Sequence, residues 1–137
     1  MGTTVFERGT REQGCRRGVL VVEDDEDVRD ALRMLIEDET VQPVVGAADG
    51  REAIDWLEDH PPPCLIVLDL MMPVINGWQV LEWLAAHPCL RRVPVVVCSA
   101  AAPDRGRLAV APHRLAAYLQ KPLRGEDLMA VVTRHCP

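Results

Sequence analysis

The chain has 137 residues, of which 48% are hydrophobic and 26% are charged, a composition that suits one globular domain with one core. Its apolar runs are far shorter than the roughly 18 residues that a membrane span needs, and residues 1–18 lack the apolar segment of a signal peptide. The net charge of −6 leaves no basic face for nucleic acid. We therefore expect a cytoplasmic protein that binds neither membranes nor nucleic acid.

The amino-terminal residues differ from the rest of the chain. Residues 1–18 are polar and show no hydrophobic period, so we predict a disordered tail followed by a single domain over residues 19–137. The five cysteines form neither a CxxC pair nor a metal-binding spacing. Their odd number, in a reducing compartment, argues against a disulfide framework. Cys64 and Cys98, which lie inside apolar runs, are interpreted as core residues.

From residue 19 onward, short apolar runs alternate with amphipathic helical patterns. The predicted strands cover residues 19–22, 41–48, 64–70, 93–100 and 115–120. Apolar residues at helical spacing occur at residues 28–36, 53–57, 77–87 and 125–135. Residues 101–114 contain Pro103, Gly106 and Pro112, which favour only a short or irregular helix.

The alternation predicts the fold class. Five strand-plus-helix units indicate an α/β protein with a parallel sheet and helices on both faces, because parallel strands need right-handed crossovers and become buried on both sides. In such sheets ligands bind at the carboxyl ends of the strands. The chemistry of the chain is therefore expected where the strands end.

Charged and polar residues follow four of the predicted strands. Glu23 and Asp24 follow the first strand, Asp69 the third, Ser99 the fourth and Lys121 the fifth. Two carboxylates roughly 6 Å apart repel by about 3 kcal/mol at an effective dielectric near 20, so gathering three of them favours a bound cation. Oxygen ligands without His or Cys suit a hard divalent ion such as Mg²⁺ or Mn²⁺.

The use of lysine supports the same interpretation. The chain has fourteen arginines but only one lysine, and that lysine is Lys121. A compact ammonium at this position can pair with a carboxylate or with a phosphoryl group attached to one. The Ser99 hydroxyl, expected at the same edge, can donate to a phosphoryl oxygen. The acids that follow Asp24, at residues 25–27, are interpreted as a helix start.

The segments "VLVVEDD", "LIVLDLMMPVING", "VPVVVCSA" and "YLQKP" together closely resemble the receiver domain of two-component response regulators, of the kind found in the chemotaxis response regulator. The resemblance covers residues 19–135 in order and spacing. It implies the flavodoxin-like doubly wound sheet of five parallel strands in the order 2-1-3-4-5. It also implies two-component signal transduction or a phosphorelay, in which a sensor histidine kinase or a histidine phosphotransfer protein donates the phosphoryl group.

The resemblance implies a role for each residue at the strand ends. Asp69 would be the phosphoacceptor, which makes the chain a signalling phosphoprotein rather than an enzyme acting on a separate substrate. Asp24 would bind Mg²⁺ directly and Glu23 through water. Asp69 itself and the backbone carbonyl of Met71 would complete the metal site.

The remaining roles concern the switch, which is the conformational change expected on phosphorylation. Lys121 would pair with the phosphoryl group, Ser99 would move toward it, and Tyr118 would turn inward when Ser99 moves. Pro73 and Gly77 would shape the loop after the phosphoacceptor. Because the chain ends at Pro137, just past the last predicted helix, we expect output through a downstream protein partner, a phosphorelay or self-association.

Two alternatives remain at this point. One is an aspartyl-phosphate hydrolase of the haloacid dehalogenase type, which would place its nucleophile in a DxD motif after the first strand, whereas Asp69 lies in "DLM" after the third. The other is a receiver-like interaction module that ignores phosphorylation. Retention of all five site positions argues against this second alternative, whereas the irregular 101–114 segment, with Arg114 where many receivers have Gly, leaves it open. Tyr118 could simply pack, and Trp56, Trp78 and Trp83 are interpreted as packing or partner contacts.

Overall fold

A computed structural model describes residues 18–113 and 115–136. The five strands are β1 (Val19–Val22), β2 (Val44–Ala47), β3 (Leu65–Leu68), β4 (Val95–Ser99) and β5 (Leu115–Gln120). The five α-helices are α1 (Glu26–Glu39), α2 (Gly50–Asp59), α3 (Gly77–Ala85), α4 (Arg105–Ala109) and α5 (Gly125–His135). A short 3₁₀ turn, Pro88–Leu90, follows α3.

The strands form one parallel sheet in the order β2-β1-β3-β4-β5. Residues of β1, β3 and β4 are almost completely buried because helices cover both faces of the sheet. One core contains side chains of α2 and α3, and the other contains side chains of α1 and α5. The predicted doubly wound, flavodoxin-like α/β fold is confirmed.

The helix starts lie close behind the strand ends because polar residues cap them there. Asp25 accepts hydrogen bonds from the backbone N–H groups of Asp27 and Val28, so α1 begins two residues after Asp24. Asn76 and Gln79 form a reciprocal capping box at the start of α3. The interpretation of residues 25–27 as a helix start is confirmed, and the caps leave only short loops in which to place the site.

The element boundaries depart from the predicted ones mainly at the second strand. It was predicted at residues 41–48 but pairs with β1 only over Val44–Ala47. Val41 lies outside the sheet and is 80% exposed, because the chain turns before it joins the ladder. The helix after β4 has only five residues, none of them buried, as the proline and glycine content predicts. The three tryptophans pack against the first core, which confirms the packing interpretation.

The prediction that the chain holds no disulfide framework is wrong, and so is the interpretation of Cys64 as a simple core residue. A disulfide joins Cys64 and Cys136, whose Cα atoms are 5.8 Å apart although 72 positions separate them in sequence. Cys64 directly precedes β3, and Cys136 directly follows α5. Side chains of α5 pack in the same core as Leu65 of β3, which brings the two cysteines together. Cys98 is a buried free thiol as expected, and its burial raises its pKa to about 12.

Some predictions fall on residues outside the described ranges. Residues 1–17 of the predicted tail, Arg114 and Pro137 are among them. Gly18 is described, and it is buried, with its carbonyl oxygen accepting a hydrogen bond from the N–H of Cys64. Across the residues that the structure describes, none of the helices has the length and apolar character to cross a membrane.

Candidate functional site

Three carboxylates meet where the central strands end, which we call the carboxyl edge of the sheet. Glu23 and Asp24 follow β1, and Asp69 follows the neighbouring strand β3. Each of the three offers a carboxylate oxygen, and these oxygens all lie within 4.8 Å of one another. The predicted grouping of these acids is therefore present in the structure.

Backbone hydrogen bonds extend the sheet into this site. The N–H of Glu23 donates to the carbonyl of Ala47, and the N–H of Asp69 donates to the carbonyl of Val22, both at 3.0 Å. On the other side, the N–H of Lys121 donates to the carbonyl of Ser99 at 2.8 Å. The functional residues are thus held by the sheet itself rather than by free loops.

Lys121 joins the carboxylates electrostatically. Its Nζ lies 2.6 Å from Oε1 of Glu23 and 3.5 Å from Oδ2 of Asp69. The Glu23 and Asp69 side chains are only 2% and 6% exposed, whereas Asp24 is exposed. One ammonium therefore contacts two carboxylates that have lost most of their water.

The protonation of this pair follows from burial and contact. Burial raises the pKa of Glu23 above its usual value, although the hydrogen bond from Lys121 opposes the rise. For Lys121 burial acts to lower the pKa, but the hydrogen bond to Glu23 and the charges of Asp69 and Glu23 outweigh it, so the pKa is raised. The ammonium is consequently charged at neutral pH.

The residues at the carboxyl edge fit a hard divalent cation. Three carboxylates and one ammonium leave two negative charges at the site. The donor atoms are all oxygens, which Mg²⁺ and Mn²⁺ prefer over softer ligands. Asp24 is the exposed member of the group, so a cation there would keep part of its hydration shell, as Mg²⁺ usually does.

The loop after β3 sets the orientation of Asp69. Its Oδ1 accepts a hydrogen bond from the N–H of Met71 at 3.1 Å, while Oδ2 faces Lys121. Gly77 lies against the backbone of Asp69 and Leu70. A Cβ at position 77 would be 2.6 Å from the backbone oxygen of Asp69 and 2.6 Å from Cα of Leu70. The loop can close onto the strand end only because position 77 lacks a side chain.

Ser99 and Tyr118 both contact Ala101. Ser99 is fully buried at the end of β4, and its Oγ accepts a hydrogen bond from the N–H of Ala101 at 3.3 Å. The Tyr118 hydroxyl donates to the carbonyl of Ala101 at 2.8 Å. In this arrangement the two predicted switch residues are linked through a single residue of the loop that precedes α4.

Two neighbouring contacts were not predicted from the sequence. Arg29 on α1 donates from Nη1 to the backbone carbonyl of Glu23 at 2.9 Å, and its Cδ would lie 3.1 Å from a Cβ at Gly46. Arg107 on α4 lies over the Trp78 ring, 4.1 Å from its centroid. The contact of Arg29 with the Glu23 carbonyl could have been predicted, because Arg29 lies one helical turn into α1 and so close to the end of β1. Nothing in the sequence spacing indicates the contact of Arg107 with Trp78.

Comparisons with curated proteins give relatives along most of the chain. Response regulator Rre1 of Synechocystis is 32% identical over 114 residues, which are 83% of this chain and 49% of that protein. This chain thus matches about half the length of Rre1. The polar-differentiation response regulator DivK of Brucella anthropi is 31% identical over 107 residues, 78% of this chain and 85% of DivK.

The solved structures and the family assignment agree with these relatives. The chemotaxis protein CheY4 of Vibrio cholerae matches with a TM-score of 0.77 and 23% identity over 86% of this chain and 97% of that one, and this likeness concerns the fold. The receiver domain of the Francisella response regulator 1452 matches with a TM-score of 0.74 and 26% identity over 86% and 94% of the two chains. The family model for the response regulator receiver domain matches residues 19–133. The chain therefore belongs to the response regulator receiver domain family.

Proposed function

We propose that this receiver takes up a phosphoryl group on Asp69 in a Mg²⁺-dependent reaction and thereby changes its affinity for a protein partner. The donor would be a sensor histidine kinase or a histidine phosphotransfer protein. The family as a whole consists of signalling phosphoacceptors. The observation that carries the proposal for this chain is the contact of Lys121 with both Glu23 and Asp69 inside the carboxylate cluster.

The proposed transfer forms one bond and breaks another. An oxygen of Asp69 attacks the phosphorus of a phosphohistidine, the phosphorus–nitrogen bond breaks, and the leaving imidazole takes up a proton. Asp24, Asp69 and the Met71 carbonyl would hold Mg²⁺ or Mn²⁺ directly, and Glu23 would hold it through water. The ion would supply positive charge that neutralises the phosphoryl oxygens. Lys121 would do the same from the Oδ2 side of Asp69, and the Met71 N–H holds Oδ1 in place.

The proposed switch runs through Ala101. An acyl phosphate on Asp69 would attract the Ser99 hydroxyl, which now accepts from the Ala101 N–H. Movement of Ser99 would free that N–H, and Tyr118, bonded to the Ala101 carbonyl, would lose its present position. The surface formed by α4 and β5 would then change, and a downstream protein that prefers one form would sense it.

The test is intact-mass analysis after incubation with acetyl phosphate and Mg²⁺. We expect one base-labile phosphoryl group on the wild-type chain, none on Asp69→Asn, and none in EDTA. Asp59→Asn is the matched control, because this exposed aspartate ends α2 away from the carboxyl edge, and it should be labelled like the wild type. Asp69→Asn should fold normally, since its carboxylate serves chemistry.

The same experiment distinguishes the proposed phosphoacceptor from a phosphorylation-independent interaction module. A folded wild-type chain that gains no phosphoryl group from acetyl phosphate, nor from a phosphorylated histidine phosphotransfer protein, would contradict the proposal and favour a phosphorylation-independent interaction module. The haloacid dehalogenase-type hydrolase has no support in the family assignment.

A Lys121→Ala variant should still take up the phosphoryl group but fail to change its partner affinity.

The proposal also includes a cytoplasmic location and one receiver domain over residues 19–137. Composition supports the location, and the disulfide offers a test of it. The structure shows the Cys64–Cys136 bond formed, but cytoplasmic thiol buffers would reduce it, so a cytoplasmic protein would carry both residues as thiols in the cell. Alkylation of both thiols in intact cells would support the location, whereas a disulfide trapped in the cell would contradict it.

A further inference from the structure

A basic cavity lies at the opposite end of the sheet from the carboxylates. Its volume is about 660 Å³. Arg91 and Arg92 precede β4, while Arg134 and His135 end α5, and all four line this cavity. No aspartate or glutamate is among its described lining residues. We call this site the basic cavity.

The arginines of the basic cavity have no carboxylate partner among the described residues. Outside the cavity, side-chain carboxylates pair with Arg33, Arg51 and Arg124, and Arg107 stacks on Trp78. Arg91 of the cavity donates from Nε to the backbone carbonyl of Ala85 at 3.3 Å, which leaves its Nη groups for a ligand. Within residues 18–113 and 115–136, no carboxylate lies within ion-pair distance of six arginines, namely Arg29, Arg91, Arg92, Arg105, Arg107 and Arg134. Three of these six line the basic cavity.

Such a cluster of cations attracts an anion from solution. Three guanidinium groups that share one concavity repel one another, and no aspartate or glutamate of the described residues lines it. In a chain with a net charge of −6, this concentration of positive charge is also opposite in sign to the whole molecule. A guanidinium offers a planar fork of donors that matches phosphate oxygens.

The remaining walls of the basic cavity are apolar. Val93, Pro94 and Leu115 line it at the starts of β4 and β5, and Val93 is buried. A volume of this size falls within the usual range for small-molecule sites. Phosphate oxygens could therefore bind at the arginines while a flat ring packs on the apolar wall.

We propose that the basic cavity binds a small anion that carries two or more linked phosphate groups, with a nucleoside polyphosphate as the chemical class that uses all of its walls. Val95 and Ser99 mark the two ends of β4, which separates the basic cavity from the carboxyl edge by roughly 13 Å at the usual rise per strand residue. The site is therefore distinct from the proposed phosphorylation site.

The test is titration calorimetry of the oxidised chain in EDTA, so that no metal links the ligand to the carboxyl edge. ATP, inorganic triphosphate and adenosine are the three probes. We expect ATP to bind and adenosine to fail. Binding of triphosphate as tight as that of ATP would support the arginine chemistry and identify inorganic polyphosphate as the ligand source. Tighter binding of ATP would assign a role to the apolar wall.

Substitution then locates the binding. Arg92→Gln and Arg134→Gln should each weaken ATP binding about tenfold, because each removes a charge-assisted contact. Arg105→Gln is the matched control, since Arg105 also lacks a carboxylate partner but lies on α4, and it should bind like the wild type. No binding of ATP or triphosphate to the wild type, or equal affinities in all three variants, would overturn the proposal. Unchanged phosphoryl uptake from acetyl phosphate would show that the variants are folded.

Discussion

At the scale of single residues, the ion pairs of Lys121 with Glu23 and Asp69 bear on both stability and chemistry. Its ammonium lies against two carboxylates from different strands, and one of them, Glu23, is 2% exposed in its side chain. Removing one partner of a buried pair costs more than the pair contributes, because the other charge is left without water or counter-charge. Lys121 therefore stabilises the fold at the same place where we propose that it assists chemistry.

Lys121→Met keeps most of the side-chain length and removes the charge. We expect the free energy of unfolding to fall by about 2 kcal/mol in EDTA, because Glu23 loses its ammonium partner. Mg²⁺ should recover part of that loss by supplying a different cation. Urea unfolding in EDTA and in Mg²⁺ would measure both effects.

The control for this change is Arg124→Met. Arg124 forms an exposed ion pair with Glu126 at 3.7 Å, so its loss should cost less than about 0.5 kcal/mol. Equal losses in the two variants would show that burial does not strengthen the Lys121 contacts.

Gly77 is the second residue with a specific physical demand. A Cβ at this position would lie 2.6 Å from backbone atoms of the strand end, which cannot move aside as a flexible side chain could. Gly77→Ala should therefore lower the free energy of unfolding by about 1 to 3 kcal/mol and slow phosphoryl uptake by displacing Asp69.

Gly106→Ala provides the opposite expectation within the same chain. The nearest atom to a Cβ at Gly106 is 3.6 Å away, and the residue lies inside α4. Alanine there should stabilise the protein by a few tenths to about 1 kcal/mol. If thermal unfolding shifts in the same direction for both variants, the steric explanation at Gly77 is wrong.

At the scale of secondary-structure elements, α4 differs from the other helices. It has five residues, none of them buried, so it lacks the apolar face that stabilises α1, α2, α3 and α5. Its stability rests on the Asp104 cap and on the Arg107 guanidinium over Trp78. A helix held by so few contacts can change its position at low cost, which suits the surface that we propose to respond to phosphorylation.

Arg107→Gln should release α4 without disturbing the cores. A cation–π contact at a partly exposed site contributes about 0.5 to 1 kcal/mol, so backbone amides of residues 105–109 should exchange with solvent roughly twofold to fivefold faster. Hydrogen exchange followed by mass spectrometry would measure this, with Arg105→Gln on the same helix as the control. Equal exchange in the two variants would contradict the role of the ring contact.

At the scale of the whole molecule, the Cys64–Cys136 disulfide connects the last helix to the start of the central strand β3. The closed loop spans 72 positions and includes three of the five strands. Constraining so long a loop removes entropy from the unfolded chain, an effect worth about 4 kcal/mol in the loop-entropy account. The disulfide is therefore expected to be a major contributor to the stability of the oxidised protein.

Cys136→Ser should lower the free energy of unfolding by about 2 to 4 kcal/mol and make it insensitive to a dithiol reductant. Cys89→Ser is the control, because Cys89 is an exposed free thiol, and this variant should remain as stable and as reductant-sensitive as the wild type. Guanidinium unfolding with and without reductant would measure the difference. A wild type that does not respond to reductant would contradict the prediction.

The charge distribution is also a property of the whole molecule. Carboxylates gather at the carboxyl edge, while three arginines that have no carboxylate partner within the described residues gather at the basic cavity. The two sites lie at opposite ends of the same strands. The acids could be recognised in the sequence as one site because they directly follow apolar runs. The arginines could not, because they come from two distant segments of the chain.

The sequence pattern by itself determined the parallel α/β class, the helix positions and the residues of the carboxyl edge, whereas the strand order followed from the resemblance to receiver domains. This was possible because buried parallel strands are continuous apolar runs, and because the residues that follow such runs must meet at one edge. Only the tertiary structure decided which distant side chains touch. The Cys64–Cys136 bond, the Arg107 contact with Trp78 and the basic cavity depend on how helices pack across the sheet, and no local pattern encodes that geometry.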